Sequence, residues 1–207
     1  MGMFFEEHAK LLSDFARVSQ AAGARADYVQ GGGGNTSVKL PGGLMAIKAS
    51  GFCLSDIHPD QAYAVLDGAD LRNFYLTTEP SELADVEKEG SARAKADVRH
   101  IDGLADLRPS VEAGFHSILK TFVVHTHSVY ANLAACSTAC RPIAAQAFAG
   151  ANYTWGWVPY TDPGANLTFA IRDELRRVEK ETGKAPSVIL MQNHGIIVHD
   201  DDSDTAL

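Results

Sequence analysis

The sequence predicts a three-layer α/β/α domain whose central sheet is predominantly antiparallel. Two hairpin patterns, over residues 36–51 and 186–200, supply antiparallel strands. Two segments with apolar residues at helical spacing, 4–22 and 167–181, supply amphipathic helices that can cover the sheet. Hairpins that alternate with helices favour this class over a doubly wound parallel sheet. We predict a single domain over residues 1–207, a length that suits one core.

The first elements can be read in order from the N-terminus. The helix over 4–22 is expected to end at Gly23. A strand interrupted by four glycines is expected over 28–40, followed by a Pro-Gly-Gly turn at 41–43. A second strand over 44–51 completes the first hairpin.

The middle of the chain is more polar. Residues 55–68 are expected to form a short helix or turn, and residues 69–108 to form surface helix and loop. Ser110 is a suitable N-cap for a helix over 111–120. The apolar run at 121–125 then predicts a buried strand.

The last third returns to regular elements. Ser128 is expected to cap a helix, and residues 142–161 are expected to be extended. Asn166 is expected to cap the second amphipathic helix, which ends at Gly183. After the second hairpin, residues 200–207 have the acidic pattern of the first turn of another helix.

Composition excludes several classes of protein. The chain has 18 Lys and Arg against 26 Asp and Glu, a formal charge of −8. This sign is opposite to what binding along a nucleic-acid backbone requires. No apolar run reaches the roughly 18 residues of a membrane span, so no membrane partner is expected. The acidic, amphipathic N-terminus differs from a secretory signal.

The three cysteines are few and odd in number. Cys53, Cys136 and Cys140 therefore indicate a reducing, cytoplasmic location without a disulfide framework. Cys136 and Cys140 lie four residues apart on a predicted helix, but no second cysteine pair completes a metal site. We interpret both as small core residues.

The strongest chemical motif is Val124-His125-Thr126-His127. Residues two apart in a strand point to the same side, with Cα atoms roughly 7 Å apart. Two imidazoles so placed can bind one divalent metal. The alternative is a pair of histidines at a solvent-facing strand edge. The apolar residues 122–124 favour a buried strand, in which imidazoles need polar partners.

A third histidine, His194, follows an apolar strand in the turn Asn193-His194-Gly195. A histidine there is often only a turn residue. With His125 and His127 elsewhere, it becomes the natural third ligand. Three histidines and open coordination positions are typical of catalytic zinc rather than structural zinc.

Glu112 lies at the start of the helix predicted after Pro109-Ser110. A carboxylate at this position is stabilised by the helix dipole, which needs no catalytic role. It can equally serve as a general base that moves between metal and substrate. The spacing alone leaves both interpretations open.

A run of four glycines at 31–34 precedes Asn35, Thr36 and Ser37. Such a loop can present backbone N–H groups and polar side chains to an anion, and Ser50-Gly51 can complete the pocket. The alternative is a flexible turn. The run matches neither a P-loop nor a dinucleotide fingerprint, so no nucleotide cofactor is indicated.

Together these motifs resemble the class II aldolase/adducin family, over the chain from its N-terminal helix to its last residue. They stand in the family's order: Gly34-Asn35-x-Ser37, Ser50-Gly51, Pro109-Ser110-x-Glu112, His125-x-His127 and His194-Gly195. The forms QGGGGNTSVK and RPSVE are most similar to the aldolase portion of rhamnulose-1-phosphate aldolase/alcohol dehydrogenase-type proteins.

The resemblance implies specific roles. The implied ligands of zinc, or of another divalent transition metal, are His125, His127 and His194, with Glu112 as the base. The implied phosphate pocket consists of Gly34, Asn35, Ser50, Gly51 and Ser110. The resemblance also implies that His116 is a structural residue of the helix.

The implied reaction is reversible cleavage of a ketose 1-phosphate, of the rhamnulose or fuculose type, to dihydroxyacetone phosphate and an aldehyde. The implied partner is a small sugar phosphate, and the implied assembly is a cyclic homotetramer. The alternatives are a metal-dependent epimerase or dehydratase, an aldolase acting on an unphosphorylated acid, and a non-catalytic adducin-like assembly module. The three histidines and Glu112 argue against the last, which has no need of them.

The chain departs from the family pattern at three places. Val111 replaces the second serine of the common Pro-Ser-Ser-Glu motif, which removes one phosphate donor. Gln146 lies near the position at which fuculose-phosphate aldolases have a tyrosine that assists protonation. The family continues with a C-terminal helix, which this chain is therefore expected to lack.

Overall fold

A central eight-stranded sheet organises the computed structural model, which describes residues 3–207. The strands are β1 (Asn35–Lys39), β2 (Leu44–Lys48), β3 (Tyr63–Asp67), β4 (Val98–Arg99), β5 (Phe122–Thr126), β6 (Trp155–Val158), β7 (Val188–Met191) and β8 (Gly195–Asp200). Their order across the sheet is β4-β3-β2-β1-β5-β8-β7-β6. Only β6 and β7 are parallel neighbours; the other pairs within residues 3–207 are antiparallel. The predicted, predominantly antiparallel sheet is confirmed.

Helices cover both faces of this sheet. They are α1 (Met3–Glu7), α2 (Ala9–Gly23), α3 (Gly68–Thr77), α4 (Val86–Ala96), α5 (Ala113–Ile118), α6 (Val129–Ala135), α7 (Cys140–Ala147), α8 (Ala165–Thr182) and α9 (Ser203–Ala206). Single 3₁₀ turns occur at Pro41–Gly43, Leu54–Asp56 and Pro80–Glu82. Within the described residues, no helix is long and apolar enough to cross a membrane.

The two larger buried clusters separate the three layers. Successive side chains of a strand point to opposite faces, so β5 contributes to both clusters. Val124 belongs to the cluster that contains Phe15 of α2. Val123 belongs to the cluster that contains Phe115 of α5 and Ile171 of α8. This division confirms the α/β/α arrangement.

The two predicted hairpins are present. In the first, β1 and β2 pair with Ser37 opposite Ile47. In the second, β7 and β8 pair with Leu190 opposite Ile196, and Asn193 in the turn between them has a φ of 53°. Asparagine tolerates this left-handed conformation better than most residues do.

Other predictions agree closely. The N-terminal segment forms α1 and α2, and α8 ends at Gly183, which has a φ of 75°. Ser128 precedes α6 but makes no side-chain capping bond. The predicted first turn at the C-terminus corresponds to α9, whose N-terminal N–H groups bond to the Asp202 side chain. The three cysteines are free thiols, as predicted, but only Cys140 is a core residue, because Cys136 is exposed rather than buried.

Two predictions in the first third are wrong in part. The strand predicted over 28–40 is limited to Asn35–Lys39, because Gly31 and Gly34 adopt positive φ and turn the chain. The short helix or turn predicted over 55–68 is present only at the 3₁₀ turn Leu54–Asp56. Residues Tyr63–Asp67 form β3, which pairs with β2 over five residues.

Residues 69–108 and 111–120 also need correction. The first segment includes most of α3, and α3 buries Leu71 and Tyr75 rather than lying only at the surface. The helix predicted over 111–120 begins at Ala113, and Glu112 occupies the N-cap position instead of Ser110. The Ser110 hydroxyl accepts a hydrogen bond from the Glu112 backbone N–H at 3.2 Å, which forms a turn before the helix.

In the last third, residues 142–161 are only partly extended. Cys140–Ala147 form α7, in which Pro142 lies in the first turn, where its missing N–H costs nothing. Asn166 does not cap α8. Gly164 takes that position, and the Glu87 carboxylate accepts hydrogen bonds from the backbone N–H groups of Ala165 and Asn166 at 2.9 and 2.8 Å.

Candidate metal centre

The sheet brings three histidines together at one end of two interior strands, β5 and β8. His125 is near the end of β5, and His127 follows two residues later. His194 lies in the turn between β7 and β8, and β8 is the neighbour of β5, with Thr126 opposite Ile196. The ring centroid of His125 lies 4.9 Å from that of His127 and 5.0 Å from that of His194.

The three rings fit a divalent transition metal. One ring nitrogen of each histidine lies within 4.8 Å of the others, and the Nε2 atoms of His125 and His127 are 3.1 Å apart. Nitrogen ligands of tetrahedral zinc are separated by about 3.3 Å. His125 Nδ1 lies 3.1 Å from the Ile196 carbonyl oxygen, to which it can donate. This bond leaves the lone pair of Nε2 free for a ligand bond.

The surroundings of His125 and His127 favour the neutral imidazole, which is the form that binds metals. His125 is fully buried, and burial lowers its pKa to about 4. Burial also lowers the pKa of His127, and the nearby His194 lowers it further. Near neutral pH both rings therefore retain a free lone pair.

Glu112 faces the histidines from the N-terminus of α5. Its Oε1 lies 3.2 Å from His194 Nε2, and its Oε2 lies 3.6 Å from His125 Nε2. Burial alone would raise the pKa of Glu112, but the adjoining His125 and His194 and a hydrogen bond from Asn35 lower it below its ordinary value. The structure thus holds an ionised carboxylate beside the candidate ligands.

Asn35 and His116 hold this carboxylate in place. Asn35 Nδ2 donates to Glu112 Oε2 at 2.6 Å and to Ser110 Oγ at 3.1 Å. Asn35 Oδ1 is bonded to His116 Nε2, and His116 Nδ1 lies 2.7 Å from Ser37 Oγ. Because the amide oxygen can only accept, Nε2 of His116 is the donor and its Nδ1 accepts from Ser37. His116 is therefore a supporting residue, as the resemblance implied.

Two residues of the implied phosphate pocket, Asn35 and Ser110, contact Glu112 directly. An isolated bridge pairs Ala49 with Pro109, which places Ser50 beside the segment that carries Ser110. Gly34 has a φ of 70°, and a Cβ there would lie 2.7 Å from the His125 carbonyl oxygen. Gly51 has a φ of 92°. The glycine loop also contacts the histidines, because a Cβ on Gly33 would lie 3.1 Å from His127 Nδ1.

Two positively charged side chains at this pocket, those of Lys48 and Arg108, were not predicted from the sequence. Lys48 is buried, and its Nζ donates to the Phe52 carbonyl oxygen at 2.6 Å. Burial lowers the pKa of Lys48. Arg108 Nη2 donates to Ser50 Oγ at 3.1 Å. A lysine within the apolar strand LMAIK is a usable signal for the first, whereas the contact of Arg108 depends on tertiary pairing.

The family model of the class II aldolase and adducin N-terminal domain matches residues 13–207. The chain belongs to the class II aldolase/adducin family. Members of this family are typically dependent on a divalent metal, and the three histidines provide the matching cluster in this chain. Family membership thus indicates an aldolase-type lyase as the general class of protein.

Solved structures of the family share this fold. The N-terminal class II aldolase domain of a conserved protein from Thermoplasma acidophilum is 20% identical, with a TM-score of 0.74, and the match covers 94% of this chain and 86% of that one. L-fuculose-1-phosphate aldolase from Thermus thermophilus is 15% identical, with a TM-score of 0.53 and coverage of 97% and 85%. A sugar-phosphate aldolase from Thermotoga maritima is 14% identical, with a TM-score of 0.61 and coverage of 96% and 88%. None of the curated protein sequences matches this chain.

Proposed function

We propose that this chain is a zinc-dependent aldolase that reversibly cleaves a ketose 1-phosphate, of the rhamnulose or fuculose type, to dihydroxyacetone phosphate and an aldehyde. The observation that carries the proposal is the Glu112 carboxylate, held 3.2 Å from His194 and 3.6 Å from His125. An assembly module does not require an ionised, buried carboxylate beside three clustered imidazoles. A metal-dependent aldolase needs both a proton acceptor and a cation site.

His125, His127 and His194 would hold the zinc ion, and three protein ligands leave open positions for substrate oxygens. The bound ion supplies electrophilic stabilisation of the negative charge that develops on those oxygens. Glu112 takes a proton from the carbon beside the carbonyl group of dihydroxyacetone phosphate in the synthetic direction. In the cleavage direction Glu112 returns that proton to the same carbon after the carbon–carbon bond has broken.

The substrate phosphate would bind in the pocket next to Glu112. Its proposed residues are Gly34, Asn35, Ser50, Gly51 and Ser110. Positive φ at Gly34 and Gly51 is typical of backbone turns that bind anions, and Arg108 adds a positive charge beside Ser50. This pocket would fix the ketose so that the carbon beside its carbonyl group faces Glu112.

We also propose a single domain, a cytoplasmic location and a homotetramer. The surface of α6 supports self-association, because Tyr130 and Leu133 are 67% and 71% exposed. Large apolar side chains clustered at a surface are typical of a contact between subunits. Because α6 follows His127 closely in the chain, this contact would lie near the metal centre.

The decisive experiment combines metal analysis with product analysis. Zinc-loaded protein is incubated with rhamnulose 1-phosphate, fuculose 1-phosphate and the two dephosphorylated ketoses, and the aldehyde product, which cleavage of any of the four would release, is measured with a coupled assay. We expect cleavage only of the phosphorylated ketoses. Cleavage of the dephosphorylated ketoses at the same rate would contradict the phosphate pocket, and no aldol cleavage of any substrate by zinc-loaded protein would contradict the proposed function.

Glu112→Gln tests the proton-transfer role. The variant should retain its zinc and lose turnover by at least about a hundredfold, because the amide cannot accept the proton. Glu7→Gln, which changes an exposed carboxylate of α1, is the matched control and should behave as the wild type. Retained turnover in Glu112→Gln would assign the base elsewhere.

A further inference from the structure

A second cleft, of about 720 Å³, lies at the end of the sheet opposite the histidines. The orientation of β1 shows this separation, since Asn35 at its start contacts Glu112 and Lys39 at its end lines the cleft. The chain as a whole is acidic, yet five cations line this cleft: Lys39, Arg72, Lys120, Arg172 and Arg176.

Three of these cations have carboxylate partners. Lys120 pairs with Asp200 at 2.8 Å, and Arg172 pairs with Asp173 at 2.9 Å. Arg176 lies 3.9 Å from both Asp173 and Glu79, and Arg172 also pairs with Glu79 at 3.1 Å. Their positive charges are therefore balanced within the fold.

The other two cations are not balanced in this way. Among residues 3–207, no carboxylate lies within 4.0 Å of the Lys39 ammonium or the Arg72 guanidinium. Lys39 Nζ donates to the His116 carbonyl oxygen, and Arg72 Nη1 donates to the Ser117 carbonyl oxygen at 3.2 Å. These consecutive carbonyls bring the two cations side by side. A helix C-terminus carries only about half a negative charge, too little to neutralise two cations.

Burial and neighbouring cations both act on the pKa values of two groups at this cleft. Burial lowers the pKa of Lys39 well below its ordinary value, and Arg72 lowers it further, although Asp201 opposes the shift. An anion bound beside Lys39 would favour its protonated, charged form. Burial also lowers the pKa of His199, with Lys39 as the next cause. The Asp201 carboxylate is itself engaged, since its Oδ1 accepts from both the backbone N–H and the hydroxyl of Thr121.

We propose that this cleft binds a phosphate dianion between Lys39 and Arg72, either as inorganic phosphate or as the phosphate group of a small ester. A guanidinium presents paired N–H donors to two oxygens of the same group. A phosphate monoester carries a charge of about −1.5 to −2 near neutral pH, which matches two cations, whereas a single carboxylate would balance only one. This site is separate from the pocket beside Glu112 and does not depend on the proposed reaction.

Calorimetric titration of the zinc-loaded chain with inorganic phosphate tests this site. Arg72→Gln should weaken the phosphate binding that involves the cleft by about tenfold or more, because a charge-assisted hydrogen bond is lost. Arg72→Lys should recover part of the affinity, since it keeps the charge without the paired donors. Arg141→Gln, at an exposed arginine of α7, is the matched control and should bind phosphate as the wild type does.

Two comparisons complete the test. Ser110→Ala should weaken only the phosphate binding beside Glu112. If the proposed function is wrong, phosphate binding that depends on Ser110 should be absent, whereas binding that depends on Arg72 should remain. Tighter binding of glycerol 3-phosphate than of inorganic phosphate would identify an ester as the occupant, and the reverse order would identify free phosphate. Identical isotherms for wild type and Arg72→Gln would overturn the proposal.

Discussion

The side-chain amide of Asn35 donates to Oε2 of Glu112 at 2.6 Å, across 77 residues of sequence. The direction of this bond is set on the other side of the amide, where Oδ1 accepts from His116. If the amide were flipped, its oxygen would face the carboxylate, and the two negatively polarised groups would repel each other. Through Asn35, β1 thus positions the carboxylate at the N-terminus of α5.

Asn35→Ala should therefore impair turnover without removing the metal. A hydrogen bond to a charged group contributes about 1.5–3 kcal/mol, so kcat should fall about tenfold or more. Zinc content measured by elemental mass spectrometry should stay at the wild-type level, because Asn35 is not one of the proposed ligands. Asn73→Ala, at an exposed asparagine of α3, is the control. Loss of zinc in Asn35→Ala would assign it a different role.

Much of the metal centre could be predicted from the sequence because its parts are short motifs. The prediction of His125 and His127 requires only the two-residue period of a strand, and the prediction of His194 requires only a turn after an apolar run. The support given by His116 could not be derived from spacing in the same way. It depends on packing of α5 against β1, which brings His116 within 2.7 Å of Ser37.

Prediction of the fold from the sequence has the same limit, because only local signals can be recognised. The hairpin over 186–200 was predictable because alternation and turn residues are local signals. In contrast, the cap of α8 comes from Glu87, which lies 78 residues before Ala165. The strand Tyr63–Asp67 was missed because a five-residue apolar run does not distinguish a strand from a short helical segment.

Removing one imidazole should abolish metal binding. His125→Ala leaves two of the three ring nitrogens and should lower the zinc content by at least about tenfold, measured on untagged protein purified without chelator. His58→Ala, at an exposed histidine, should bind zinc as the wild type does. Wild-type zinc content in His125→Ala would show that the metal is bound elsewhere.

Two glycines with similar backbone angles should respond differently to alanine. Gly34 and Gly42 have φ values of 70° and 77°, so a side chain strains both. A Cβ on Gly34 would also lie 2.7 Å from the His125 carbonyl oxygen, whereas a Cβ on Gly42 meets nothing within 4 Å. We expect Gly42→Ala to lower the free energy of unfolding by about 1 kcal/mol and Gly34→Ala by about 3 kcal/mol. Urea denaturation measures both, and equal losses would contradict the close approach of the glycine loop to β5.

His199 should make the stability of the fold depend on pH. Its pKa is lowered from 6.5 to about 4, first by burial and then by Lys39 and Lys120. Between these values the unfolded chain binds a proton that the folded chain does not, so stability falls as the pH drops from about 6.5 toward 4. Between pH 7.5 and 5, the wild type should lose about 2 kcal/mol more than His199→Gln. Urea denaturation in phosphate-free buffer with chelator isolates this effect from ligand binding. His58→Gln should keep the wild-type pH dependence, and equal losses for the wild type and His199→Gln would show that His199 does not titrate in this range.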